Sequence, residues 1–344
     1  MEQRALVLGA GGHAATAWEL GVITGMADAG VEVRNADVIV GTSAGARVSV
    51  LITSDLKLEE LFQRQVDPDL QTKEPDPPVD FTRWRTDFMR AKEGPGEAIA
   101  VLQRFGALAL QTPGGLQEAR RNMIAAALPS HTWPERRLLI VAVDVESGER
   151  RAFDRSNGVD LIDAVAASGA VPGIWPPVAL RGHRYMDGGV YSIDNADLAV
   201  GCDHVVILTL PARVPPLCVA SLEDAVDTLR HSGARVDVVH PDEAAQAAFA
   251  SVGGNLLDPS VLRRRPVLDA NRANGSLRPE HVYEMPGTHR NRTSESTNDI
   301  HLPAGGFECN LISTVQTPTT LRGNFRVRNR RTTLGSWIVS IEAS

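Results

Sequence analysis

Residues 41–45 read Gly-Thr-Ser-Ala-Gly, directly after the apolar run Val38-Ile39-Val40. A serine with Gly41 and Gly45 one residue away on either side, between a strand and a helix, is the arrangement of a nucleophile elbow. The sharp turn strains the serine backbone, and a side chain at either glycine would collide with neighbouring strands or substrate. The positive end of the following helix, including the Ala44 amide, favours negative charge developing at Ser43. The competing reading is a glycine-lined turn with an idle serine.

Two further stretches bear on that choice. RALVLGAGGH (4–13) sets Gly9, Gly11 and Gly12 at the end of a strand and the start of a helix. Backbone N–H groups there receive an anion, either a phosphate or the oxyanion of an acyl transfer. GAGGHA also fits a dinucleotide-binding turn loosely, but the second strand should then end in an acidic residue, and it ends in Gly-Thr-Ser. The other stretch is Tyr185-Met186-Asp187-Gly188-Gly189. A serine hydroxyl needs a base, and Asp187 serves if burial lifts its pKa and it lies within hydrogen-bond reach. An ordinary Asp-Gly turn is the alternative.

The elements that must position these residues alternate. Residues 4–9 read as a buried strand, 14–30 as an Ala-rich helix closing at Gly30, 37–41 as a second strand and 44–54 as a helix. This alternation implies an α/β fold of three layers, α/β/α, with a mostly parallel central sheet. From 64 to 136 a proline-rich acidic stretch and two or three amphipathic helices read as a helical insertion or cap, carrying Phe81, Trp84, Phe88, Met89 and Phe105. These aromatics line an acyl channel or an interfacial face, or simply pack the cap. The core resumes with a strand at 138–145, a Ser-Gly turn with RAFD pairing after it, a helix in DLIDAVAASGAVPG, and strands in HRYMD, DHVVILTL and RVDVV. Residues 1–280 form the main domain. Residues 281–344 are a polar tail in which HRNRTSESTND reads as a linker and the last stretch as strands.

Composition bounds the function. The 344 residues are 43% hydrophobic, enough for a sizeable core, and a net charge of −7 argues against nucleic acid as a partner. Cys202, Cys218 and Cys309 lie far apart, against both a disulfide framework and a zinc site, and no metal or organic cofactor is expected. With no charged-then-apolar leader and no run of about 18 apolar residues, a cytoplasmic protein is expected. The sequence leaves the oligomeric state open.

Taken in order, the glycine loop with AWELGVITGMADAG, GTSAG, VAASGAVPGIWPPV, RYMDGGV and DVVHPD resembles the patatin-like phospholipase family over roughly residues 4–275. The resemblance implies a patatin-like fold and a Ser–Asp dyad working without histidine. Ser43 would be the nucleophile and Asp187 the general base, with Gly11, Gly12 and Ala44 amides as the oxyanion hole, supported by Gly9, Gly41, Gly45, Gly188 and Gly189. The implied substrate is a lipid acyl ester, met in solution or peripherally at a membrane or micelle surface, and cleaved through an acyl-enzyme. The sequence departs from the family's first loop at Ala10, at His13-Ala14 where a basic residue is usual, and at Ala15. Alanine at 10 or 15 would be strained if the backbone there took a positive φ. His13 is read either as a substrate contact or as an exposed helix start, and Ser168 and Pro172 as walls of the site. Two alternatives stand beside this reading: a Ser-His-Asp hydrolase using His204 or His240, and a catalytically weak lipid-binding protein of the same fold.

Overall fold

The computed structural model describes residues 2–211 except 68, 71, 73, 74 and 76, residues 218–250, and four short strands beyond 308. Two compact units divide at residue 284. In the first unit the order is β1 (Arg4–Leu8), α1 (Gly12–Asp28), β2 (Val38–Thr42), α2 (Ala44–Ile52) and α3 (Leu58–Val66). Three helices follow, α4 (Phe81–Glu93), α5 (Ala98–Leu110) and α6 (Gln117–Ala127). Then come β3 (Arg137–Asp144), β4 (Arg150–Phe153), α7 (Leu161–Ser168), β5 (Val178–Leu180), β6 (His183–Asp187), β7 (His204–Leu208), α8 (Leu222–His231), β8 (Arg235–Val239) and α9 (Glu243–Ala250). The second unit holds β9 (Cys309–Leu311) paired with β10 (Thr319–Leu321), and β11 (Phe325–Arg331) paired with β12 (Trp337–Ala343), both antiparallel. The expected linker, HRNRTSESTND, lies outside the described residues.

Strands β3, β2, β1, β7 and β8 run parallel in that order, and β4, β5 and β6 are antiparallel additions at the β3 edge. Successive residues of each central strand feed opposite faces, as the period of two requires. Leu6, Leu8, Ile39, Leu138 and Ile140 pack with Trp18, Leu20 and Ile23 of α1, Leu51 of α2 and Ile162 and Val165 of α7. Ala5, Val7, Val38, Val40 and Leu139 pack with Val226 and Leu229 of α8. The fold is therefore mixed α/β, three layers with a central sheet flanked by helices.

Helices α4 and α5 gather beside the carboxyl end of β3. Phe88, Leu102 and Phe105 pack with Val143 and Val145 at the end of β3 and with Met186 and Val190 around Asp187. These two helices thus share a core with the segment that carries the candidate base.

Candidate active site

The register on β3 brings the two candidate residues together. Thr42, the last residue of β2, is opposite Val141, and the next residue along β3, Ala142, is opposite Asp187 of β6. Since β4 pairs with residues overlapping both contacts, β2 and β6 occupy the same edge of β3, end to end. The parallel strand stops, the antiparallel strand takes over, and Ser43 leaves β2 where β6 ends.

Ser43 has φ 54° and ψ −106°, a backbone that non-glycine residues rarely adopt. Several contacts hold it there. Its N–H donates to Ser168 Oγ at 2.8 Å, and the buried Ser168 hydroxyl donates to the Val141 carbonyl at 2.6 Å. Gly45 N–H donates to the Gly9 carbonyl at 3.0 Å, so α2 lies directly against β1. A Cβ on Gly45 would stand 2.0 Å from the Leu8 carbonyl oxygen, and one on Gly41 2.7 Å from the Gly45 carbonyl oxygen. Only hydrogen fits at either position. Ala44 opens α2, where an amide has no acceptor four residues back.

Asp187 is 4% exposed. Its Oδ1 accepts from Gly189 N–H at 2.7 Å, and the Ser43 side chain lies close enough to act on its carboxyl. Burial pushes its pKa up to about 6, while the Gly189 amide, the Ser43 hydroxyl and the Arg120 guanidinium pull the other way. Gly188 lies against the Val141 carbonyl oxygen, 2.5 Å from where its Cβ would be. Beyond the turn, the buried Asn195 holds a left-handed backbone and donates through Nδ2 to Thr42 Oγ1 at 3.0 Å and to the Ser192 carbonyl at 2.8 Å. The residue before the serine is thereby fastened to the loop after the aspartate.

The first glycine loop adjoins both. Gly9 and Ala10 spend their amides on the Leu208 and Ile193 carbonyls. Gly11 and Gly12 begin α1, and their N–H groups stand in its first turn, where helical acceptors are lacking. Gly12 takes φ 63°, which glycine alone adopts without strain. Among the described non-glycine residues, positive φ occurs at Ser43, Arg181 and Asn195, so neither Ala10 nor Ala15 carries left-handed strain. Ala10 faces the Asp187 turn, 3.1 Å from a Cβ built on Gly189. His13 is 9% exposed, which corrects its reading as an exposed helix start. Behind the loop lie two buried carboxyls, Glu19 and Asp194. Burial raises Glu19 well above its ordinary range and Asp194 to about 7.

The structure separates the histidine candidates from Ser43. His204 pairs with Arg4 at the start of β1, the opposite end of the sheet, and contacts Asp237 at 2.6 Å. His240 follows β8, with β7 and β1 between it and β2, and contacts the Thr209 carbonyl at 3.0 Å. The cap aromatics divide: Phe88 and Phe105 are buried with ring centroids 4.5 Å apart, whereas Phe81 is exposed against the edge of Trp84. Trp84 Nε1 donates to the Pro172 carbonyl at 2.8 Å, tying the cap to the segment after α7. Met89 lines a groove of about 630 Å³ along α4 with Arg85, Thr86, Arg90, Glu93 and Gly94, apart from Ser43.

Arg120 and Asn195 are the residues that sequence reasoning missed. Nothing in QEARRNMIAAA distinguishes the buried Arg120 from its half-exposed neighbour Arg121. Asn195 lies in an unremarkable SIDNADLA stretch.

No curated protein matches the chain. Solved structures similar to it include the following two. VipD from Legionella pneumophila is 16% identical, with a TM-score of 0.35 over 73% of this chain and 55% of that one. The type III effector protein ExoU is 15% identical, with a TM-score of 0.37 over 80% of this chain and 52% of that one. The chain thus spans about half the length of these solved structures. The sequence model described as patatin-like phospholipase matches residues 6–200, more than half of the chain, from the first glycine loop through Ser43 to Asp187. On that match, the chain belongs to the patatin-like phospholipase family.

Proposed function

We propose that residues 1–280 form a lipid acyl hydrolase with a Ser43–Asp187 dyad, meeting its substrate at a membrane or micelle surface. One observation carries the reading: the register on β3 sets a serine on a strained elbow beside a buried carboxylate whose pKa burial lifts to about 6. At neutral pH that carboxylate is mostly ionised and yet basic enough to accept a proton. As Ser43 Oγ attacks the ester carbonyl, its proton passes to Asp187. The oxyanion is received by the amides of Gly11, Gly12 and Ala44. Collapse breaks the ester bond, and the departing alcohol takes the proton from Asp187. Water then attacks the acyl-enzyme, giving its proton to Asp187, which returns it to Ser43 as the fatty acid leaves.

The test is fatty-acid release from phosphatidylcholine vesicles and from a short-chain nitrophenyl ester. Turnover by the wild type that disappears in Ser43→Ala supports the reading. Equal rates for the two proteins, or none from the folded wild type on either substrate, overturn it in favour of a lipid-binding role.

A further inference from the structure

The end of α7 holds both members of the proposed dyad by their backbones. Ser168 Oγ accepts from Ser43 N–H, and the Ala170 carbonyl accepts from Asp187 N–H at 3.0 Å. What fastens this end comes from the cap. Arg120 of α6, 5% exposed, donates through Nη1 to the Ala166 carbonyl and through Nη2 to the Gly169 carbonyl, both at 2.8 Å. Its guanidinium lies over the buried Trp175 ring, 5.1 Å from the centroid, and Arg121 beside it meets Asp163 of α7 at 2.5 Å. A Cβ on Gly169 would stand 3.0 Å from Arg120 Nη2 and 3.9 Å from Ser43 Oγ, so guanidinium and hydroxyl converge on one spot.

We propose that Arg120 is a positioning residue of this site: the insertion lends a guanidinium that clamps the 166–170 segment under Ser43 and Asp187 and sets a positive charge beside the carboxylate. The inference rests on the hydrolase reading only for its consequence to rate. A cation at a helix carboxyl end also complements the helix dipole, which accounts for a charge at so buried a place. Among the described residues, Arg120 is the charged side chain acting on Asp187, beside the Ser43 hydroxyl and the Gly189 amide. Asp144 of β3 and His183 of β6 pair with each other at 2.9 Å, and His13 is the second residue of α1, next to the first loop.

The experiment has two readouts on Arg120→Met and Arg120→Lys. The first is the Asp187 titration by carboxyl carbon NMR, which needs no turnover. The second is the rate of fluorophosphonate labelling against pH. In Arg120→Met the Asp187 midpoint rises by at least about 0.5 unit, and labelling fails at correspondingly higher pH. Arg120→Lys keeps the charge but loses the planar fork, so the midpoint stays and the plateau labelling rate falls about tenfold. An unchanged midpoint in a folded Arg120→Met, or wild-type labelling by Arg120→Lys, overturns the proposal. If Arg120→Met does not fold, Arg120→Gln is titrated in its place. Should the wild type take no probe while the midpoint still moves, the hydrolase reading falls and the Arg120 coupling stands; if neither occurs, both fall.

Discussion

Ser43 and Asp187 meet at one edge of β3, yet their surroundings are built in opposite ways. The serine's place is made by backbone: a left-handed elbow, Gly45 pressed against β1 and Gly41 against the start of α2, and one hydroxyl strap from Ser168. The aspartate's place is made by electrostatics: a buried carboxylate offset by one amide, one hydroxyl and a guanidinium from the insertion. Glu19 and Asp194 sharpen the contrast. Both are buried as deeply, and among the described residues the charge acting on each is another carboxylate, Asp194 on Glu19 and Glu223 on Asp194. The proposed base is thus the buried carboxyl at this end of the sheet that burial raises and a cation restrains. On this account, steric design fixes where the proposed nucleophile stands, and charge design fixes when the proposed base is ready.

Substitutions can break each side separately. Removing the charge has the largest effect on rate: Asp187→Asn lowers turnover about 10²–10⁴-fold. Its effect on stability runs the other way. Because burial raises this carboxyl in the folded state, the group favours folding below its unfolded pKa, and that contribution is lost as pH rises through about 6. An asparagine carries no such penalty, so Asp187→Asn melts higher than wild type at pH 7.5, by up to about 3 kcal/mol, and no higher at pH 4. Paired thermal melts at the two pH values check this.

On the steric side, Gly45→Ala drives a methyl into the Leu8 carbonyl and costs about 3 kcal/mol or more, read by denaturant unfolding. Ser168→Ala strips the strap from the Ser43 amide and the Val141 carbonyl, costing about 1–3 kcal/mol, and slows labelling without moving its pH midpoint. The smallest effect belongs to Ala10→Gly. Since Ala10 bears no left-handed strain, the change leaves labelling within about twofold and lowers stability by at most about 1 kcal/mol.

The same division decided what could be read from the sequence. Steric design is local: Gly-x-Ser-x-Gly after an apolar run announces its turn, and the alternating strands and helices around it were legible by periodicity. Even there, α1 begins at Gly12 rather than at residue 14, inside the glycine loop, where the Gly11 carbonyl already accepts from Ala15 N–H and only glycine takes the φ of 63° without strain. Charge design is tertiary. The end-to-end meeting of β2 and β6 depends on the register of both along β3, about a hundred residues downstream of the elbow. The burial of Arg120 depends on which face of α6 meets α7, and two adjacent arginines give no sign of which turns inward. The three-residue strand β5 was too short to carry a periodicity of its own.

The most direct test of the account is the pH dependence of fluorophosphonate labelling, with the modified peptide identified by mass spectrometry. The account predicts a single adduct on Ser43, a labelling rate that rises with pH through a midpoint near 6, and near-complete loss of both in Asp187→Asn. An adduct elsewhere, or Ser43 labelling that keeps its rate and pH profile without the Asp187 carboxylate, would contradict it.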